Sequence, residues 1–141
     1  MDRKLIHELP VTVTQEMIDM NDHLNNEKAE NELRRAQNEL LWARLTGWAD
    51  ISFGFEVACV ISEKHTWFKK QILLGEQVTI RTTLTTTGVR LCFKQEVMRG
   101  QELCILHTFV RTLWHREQKK TIRIPAELLE QLFGASTPRA V

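Results

Sequence analysis

The sequence predicts an α+β fold in which an antiparallel sheet wraps one long central helix. Three observations carry this. From Asn26 to about Leu45 there is no Gly or Pro, and Ala29, Leu33, Ala36, Leu40 and Leu41 recur at helical spacing as one apolar stripe. After Gly47 the apolar period drops to two, and it stays there through several segments separated by short turns. Strands joined by short turns pair antiparallel, and a lone amphipathic helix has to bury its stripe on the sheet they form.

Each element has its own reason. Residues 1–9 form a short lead, and Val11–Thr14 is the first strand. Thr46-Gly47 ends the helix, with Gly47 suited to the position just past the last turn. Phe53, Phe55, Val57, Cys59 and Ile61 alternate as a strand does, and Trp67–Leu73 is a second, less regular extended piece. Leu74-Gly75-Glu76 is a turn. Val78, Ile80, Thr82, Leu84 and Thr86 then share one face of a long strand, and its excess of threonine fits β-branched preference. Thr87-Gly88 turns the chain into Val89–Met98, and Arg99-Gly100-Gln101 turns it into Leu103–Leu113. Thr121–Ile124 is a short extended piece. Pro125 opens a last helix, Ala126–Phe133, because proline is tolerated in a first helical turn. Residues 1–133 make a single domain, and 134–141 a flexible C-terminal tail. One helix leaves sheet edges uncovered, so a homodimer that continues the sheet is expected.

Composition narrows the function classes. The 141 residues favour one core, and 43% hydrophobic and 26% charged residues are ordinary for a water-soluble domain. A net charge of +1 demands neither nucleic acid nor an acidic membrane as partner. No apolar run is long enough for a membrane span, and MDRKLIHELP lacks the apolar core of a signal peptide. Cys59, Cys92 and Cys104 are widely spaced, as reduced thiols in the cytoplasm would be. Neither they nor the five histidines show the spacing of a metal site.

The densest polar stretch is DMNDHLNN, residues 19–26, between the first strand and the long helix. A structural reading is available: Asn25 or Asn26 caps the helix, Glu27 suits its positive end, and Asp22 braces the turn. A chemical reading is available too. A helix start presents unpaired N–H groups that suit an oxyanion. Asp19 lies just upstream as a general base or nucleophile, with His23 and Asn21 as groups that share a proton or orient water. Elsewhere the chain has no serine nucleophile elbow and no Gly-rich phosphate loop.

Strand, D-x-N-x-H-L-N-N and long helix together resemble the hotdog-fold acyl thioesterases. They are similar to the 4-hydroxybenzoyl-CoA thioesterase-like group and to plant acyl-carrier-protein thioesterases. In that group the segment commonly reads D-x-D-x-x-G-H-V-N-N, before a helix that often carries an aromatic residue and an Arg. A looser likeness runs over residues 8–133. The resemblance implies hydrolysis of an acyl-CoA or acyl-carrier-protein thioester, with no metal or redox cofactor, at a site formed by a homodimer that can pair into a homotetramer. It puts Asp19 at the catalytic carboxylate and Asn21 and His23 at the orienting polar groups. The Asn26 N–H falls at the oxyanion donor, and Asn25 at the residue that holds the loop. His65 and Trp67, just before a strand, are candidates to line the acyl pocket, beside the plainer reading of a surface-to-core transition. This chain departs from the pattern at Met17 for the first Asp, Asp22 for the Gly, Ala29 for the helix aromatic and Gln37 for the Arg. Asp22 has to accept a turn that wants a positive φ. Two other functions stay open. One is a non-catalytic acyl-binding hotdog dimer. The other is an enoyl-CoA hydratase or dehydratase, whose motif D-x-N-P-x-H places the His one residue further on.

Overall fold

The computed structural model describes residues 3–44 and 57–134. Its elements are β1 (Lys4–Thr12), α1 (Asn26–Arg44), β2 (Val57–Phe68), β3 (Gln77–Thr86), β4 (Arg90–Arg99), β5 (Glu102–His115), β6 (Lys120–Ile122) and α2 (Ala126–Phe133). A six-stranded antiparallel sheet has the order β1-β3-β4-β5-β2, and β6 takes over the β4 side of β5 beyond Thr112. The long helix packs on one face of this sheet, as the periodicity requires. The expected helix end at Thr46-Gly47, the start of the Phe53–Ile61 alternation and the tail after Gly134 lie outside the described residues.

Two segments differ from expectation. The lead is itself strand: β1 begins at Lys4 and pairs with β3 from Lys4↔Thr85 to Thr12↔Gln77. Pro10 is compatible with this because β1 is an edge, where a missing N–H can face outward. Val13 then continues the pairing through hydrogen bonds to Glu76 O and from Gly75 N. In addition, the two extended pieces on either side of Ser62-Glu63-Lys64 are one strand, β2. A register shift between Ile61 and Glu63 breaks the alternation along it, so the apolar pattern divides where the chain does not. Residues 69–73 are a loop rather than strand.

The stripe of α1 is buried as its spacing implies: Ala29, Leu33, Ala36, Leu40 and Leu41 are each 3% exposed or less. Its first half packs with Val11, Val13, Val78, Ile80, Val97 and Ile105. Its second half joins Leu84, Phe93, Phe109 and Leu113 with Leu128 and Leu132 of α2.

Between the two halves lies a buried polar knot. Gln37 Nε2 donates to Gln95 Oε1 (2.8 Å), and Gln95 Nε2 donates to Leu33 O (2.9 Å) and Thr82 Oγ1 (3.0 Å). A buried amide is stable here only because its partners are present. Gln95→Leu keeps the volume but strands these groups, and is expected to cost about 1–3 kcal/mol. In urea unfolding the double change Gln37→Leu/Gln95→Leu should recover part of that loss. A Gln95→Leu midpoint equal to the parent's would show the knot to be dispensable.

Candidate active site

The segment before α1 is built by backbone pairing. Ile18 bridges Leu24 and His23 bridges Leu73, so the loop is held between its own ends and the turn that leads into β3. Leu24 N donates to Ile72 O at 2.7 Å and Asn25 N to Met17 O at 2.8 Å. That neighbouring turn closes by Glu76 N to Leu73 O, with Gly75 at φ +84, a conformation in which a side chain is disfavoured. Arg99 ties it down: Nη1 reaches both Gln71 O (2.9 Å) and Glu76 Oε1 (2.8 Å), while Glu102 holds Nε and Nη2. The same contact holds the Glu102 carboxyl below its ordinary range.

Within the loop, Asp19 organises the turn. Its Oδ1 accepts from Asn21 N (2.9 Å) and His23 N (3.3 Å), and its backbone accepts from Asp22 N (3.1 Å). Oδ2 has no hydrogen-bond partner among the described residues. Asp22 has φ +62, as expected of a residue standing where the resembled group has glycine. Asp tolerates the left-handed region better than most residues, and glycine does so without cost to sterics. Asp22→Gly is therefore expected to be more stable than Asp22→Ala by about 1 kcal/mol. Equal melting temperatures for the two variants would sink this account of the turn.

The cap falls on Asn25 rather than Asn26. Asn25 Oδ1 accepts from Glu27 N (2.8 Å) and Lys28 N (3.2 Å), and Ala29 N closes the first helical turn on Asn25 O (2.8 Å). That leaves the N–H of Asn26, the first helical residue, as a donor without a partner among the described residues. Asp19, His23 and Asn26 border one cleft of about 250 Å³, closed on its other sides by Ala29, Phe68 and Ile105. Asn21 is exposed and gives the site its backbone N–H.

His65 and Trp67 are not part of this cleft. Thr66 and Phe68 pair with His107 and Ile105 on the helix side of the sheet, so His65 and Trp67, paired with Thr108 and Leu106, face the other side. There they stack on one another, with ring centroids 5.8 Å apart. The bulge near Ser62 and the side-chain alternation decide this, and neither is visible in a short window of sequence. Lys69, Lys70, Gln71 and Ile72, expected from the sequence to belong to an extended piece and not assigned to the site, also border the cleft. They form a loop brought in from the far edge of the sheet, held by Lys69 N and Lys70 N on Cys104 O. No local pattern marks them.

A second recess opens further along the same side of α1, lined by Glu30, Arg34, Gln37, Lys64, His107 and Arg111 among others. The His107 ring is buried, with Nδ1 2.7 Å from Thr66 Oγ1. Burial, then nearby Lys64, push its pKa down, which favours the neutral ring at neutral pH. Of the cysteines, Cys104 is buried while Cys59 and Cys92 are half-buried, and burial raises the pKa of each thiol.

Sheet order, central helix and loop together define a hotdog fold, and solved structures agree. A 1,4-dihydroxy-2-naphthoyl-CoA thioesterase from Synechocystis superposes with a TM-score of 0.78 at 14% identity, over 94% of this chain and 99% of that one. A probable thioesterase from Bartonella henselae gives 0.70 at 17% identity, over 86% and 100%. A hypothetical protein from Staphylococcus aureus, solved in complex with CoA, gives 0.73 at 16% identity, over 99% and 90%. No family model and no curated protein matches the sequence. The chain is thus similar in fold to thioesterases, at identities that speak for the fold alone. Among the described residues no helix is long and apolar enough to cross a membrane.

Proposed function

We propose that this protein is an acyl thioesterase that hydrolyses an acyl-CoA or acyl-carrier-protein thioester to a carboxylic acid and a free thiol. The observation that carries this is that one cleft is bordered by both Asp19, whose Oδ2 has no partner among the described residues, and Asn26, whose backbone N–H has none among them either. Asp19 acts as general base and takes a proton from water. The water oxygen bonds to the thioester carbonyl carbon, and the Asn26 N–H donates to the oxyanion that forms. The C–S bond then breaks, and the thiolate leaves with the proton. His23 orients substrate at the cleft wall, and Asn21 and Asn25 hold the loop in register. Thioesterases among the fold neighbours, and a neighbour solved with CoA, support the same reading.

The test is release of free thiol from a panel of acyl-CoAs and acyl-carrier proteins, with wild type and Asp19→Asn side by side. If both are inert while acyl-CoA still binds, the chain is a binding protein. Hydration of crotonyl-CoA would favour a hydratase.

We also propose a cytoplasmic homodimer, able to pair into a tetramer, joined along β2. Of the two sheet edges, β1 carries Pro10, which discourages further pairing, whereas β2 exposes Val60, Ile61, Trp67 and Phe68 at 37–48%. Light scattering should give a dimer mass for the parent and a monomer mass for Trp67→Lys. A monomeric parent rules the arrangement out.

A further inference from the structure

The recess beyond the cleft carries more polar capacity than the fold uses. The helix wall runs without a break from Asn26 and Ala29 in the cleft to Arg34 and Gln37 in the recess, about 16 Å at the rise of an α-helix. The facing wall runs in parallel, from Phe68 back to Lys64 on β2 and from Ile105 to Arg111 on β5. Cleft and recess therefore lie one after the other along one side of α1, both facing the β5–β2 side of the sheet. An acyl group with its carbonyl at Asp19 and Asn26 would have to run along that side of α1 to reach the recess.

The recess is small, about 70 Å³, room for a polar headgroup or two waters rather than for a ring or a branched chain. Its charged groups are Arg34, Lys64 and Arg111 against Glu30 alone, an excess of positive charge with His107 neutral. Glu30 is already engaged with Lys64, at 3.7 Å. The Arg111 guanidinium touches Cys59 and its carbon lies 5.7 Å from the centre of the Phe109 ring, while its Nε is buried without a hydrogen-bond partner among the described residues. A buried N–H left unpaired costs about 1–3 kcal/mol, so this donor gains from an acceptor brought into the recess. Gln37 spends its amide nitrogen on Gln95, and its amide oxygen has no partner among the described residues.

We infer that the preferred acyl group carries a carboxylate at its far end, which the recess receives through Arg111 and Lys64, so that the enzyme selects acyl thioesters of dicarboxylic acids over plain fatty acyl thioesters. This rests on the thioesterase reading and specifies its substrate class. Arg111 supplies a donor on the sheet wall, and Lys64 a mobile ammonium at the rim, 44% exposed, that can leave Glu30 for the ligand. A hydrocarbon end placed there would instead leave Arg111 Nε unpaired and strip water from Lys64 without return.

The experiment compares dodecanedioyl-CoA with dodecanoyl-CoA, and tetradecanedioyl-CoA with tetradecanoyl-CoA, chains long enough for the span from cleft to recess, in wild type and in Lys64→Met/Arg111→Leu. Wild type should prefer the carboxylated member of at least one pair by about 10-fold or more in kcat/KM, the worth of a charge-assisted hydrogen bond. The double variant should bring that ratio to about 1. Equal or reversed preference in wild type overturns the inference while leaving the thioesterase reading intact. If neither member is hydrolysed, that reading fails, and calorimetric Kd values for the same pairs take over: tighter binding of the carboxylated member supports the recess, and equal Kd values overturn it. If the double variant changes the subunit mass and not the ratio, the two cations serve contact between copies, and the inference is overturned.

Discussion

Asp19→Asn is expected to lower kcat for thioester hydrolysis by about 10²- to 10⁴-fold, the range for loss of a positioned base. The substitution isolates chemistry from architecture. Asp19 Oδ1 accepts from the N–H groups of Asn21 and His23, and an asparagine oxygen can do the same in the same place. What it cannot do is take a proton from water. The variant should therefore melt with the parent and bind acyl-CoA with similar affinity while turning it over far more slowly. Stopped-time thiol release and a thermal melt on the same samples check both halves. Hydrolysis at the parental rate would remove Asp19 from the chemistry. Loss of activity together with a lowered melting temperature would point to the loop rather than to the base.

Phe93→Ala should be the most damaging single truncation for stability, at about 3–5 kcal/mol. Phe93 is 2% exposed and stacks on Phe109 across the β4–β5 pair, with ring centroids 4.3 Å apart. The same cluster receives Leu40 and Leu41 from α1 and Leu128 and Leu132 from α2, so the core that Phe93 belongs to joins sheet and both helices. Neighbours fixed on three elements cannot all close on the gap, which adds the cavity to the lost transfer energy. The expected fall in Tm is roughly 10 °C or more. Phe93→Leu, which fills most of the space, should lose clearly less. Similar losses for the two variants would mean that ring stacking rather than volume sets the cost.

Much of this could be read from the chain because two periods are hard to confuse. The α1 stripe and the β3–β4–β5 meander follow from apolar spacing, and their ends from Gly75, Gly88 and Gly100, each at positive φ. The loop was legible for a different reason: carboxylate, amide and imidazole crowd into a stretch where capping needs only one of them. Asp22 was legible to its backbone conformation. The choice between Asn25 and Asn26 as cap was not, because both residue types serve equally and the geometry of a single turn decides. What stayed hidden depended on long-range pairing. A bulge split β2 into two apparent strands and turned His65 and Trp67 away from the helix. Lys64, His107 and Arg111 reach the same recess as Gln37 only through the β2–β5 register.

That register also bears on the order in which the molecule assembles. β3, β4 and β5 follow one another through short turns, so their pairing closes small loops. The outer strands do not: Lys4 waits for Thr85, and Val57 for His115. Pairings so distant along the chain form slowly, and the central meander is the part able to nucleate. The loop around Asp19 depends on both latecomers. It hangs from β1 on one side and meets Leu73, beyond β2, on the other. Pulsed hydrogen exchange during refolding should find β3–β5 amides protected first and those of residues 19–24 last. Early protection at His23 would reverse this order. With the expected order, a chain interrupted late in folding would hold a sound core and no means of catalysis.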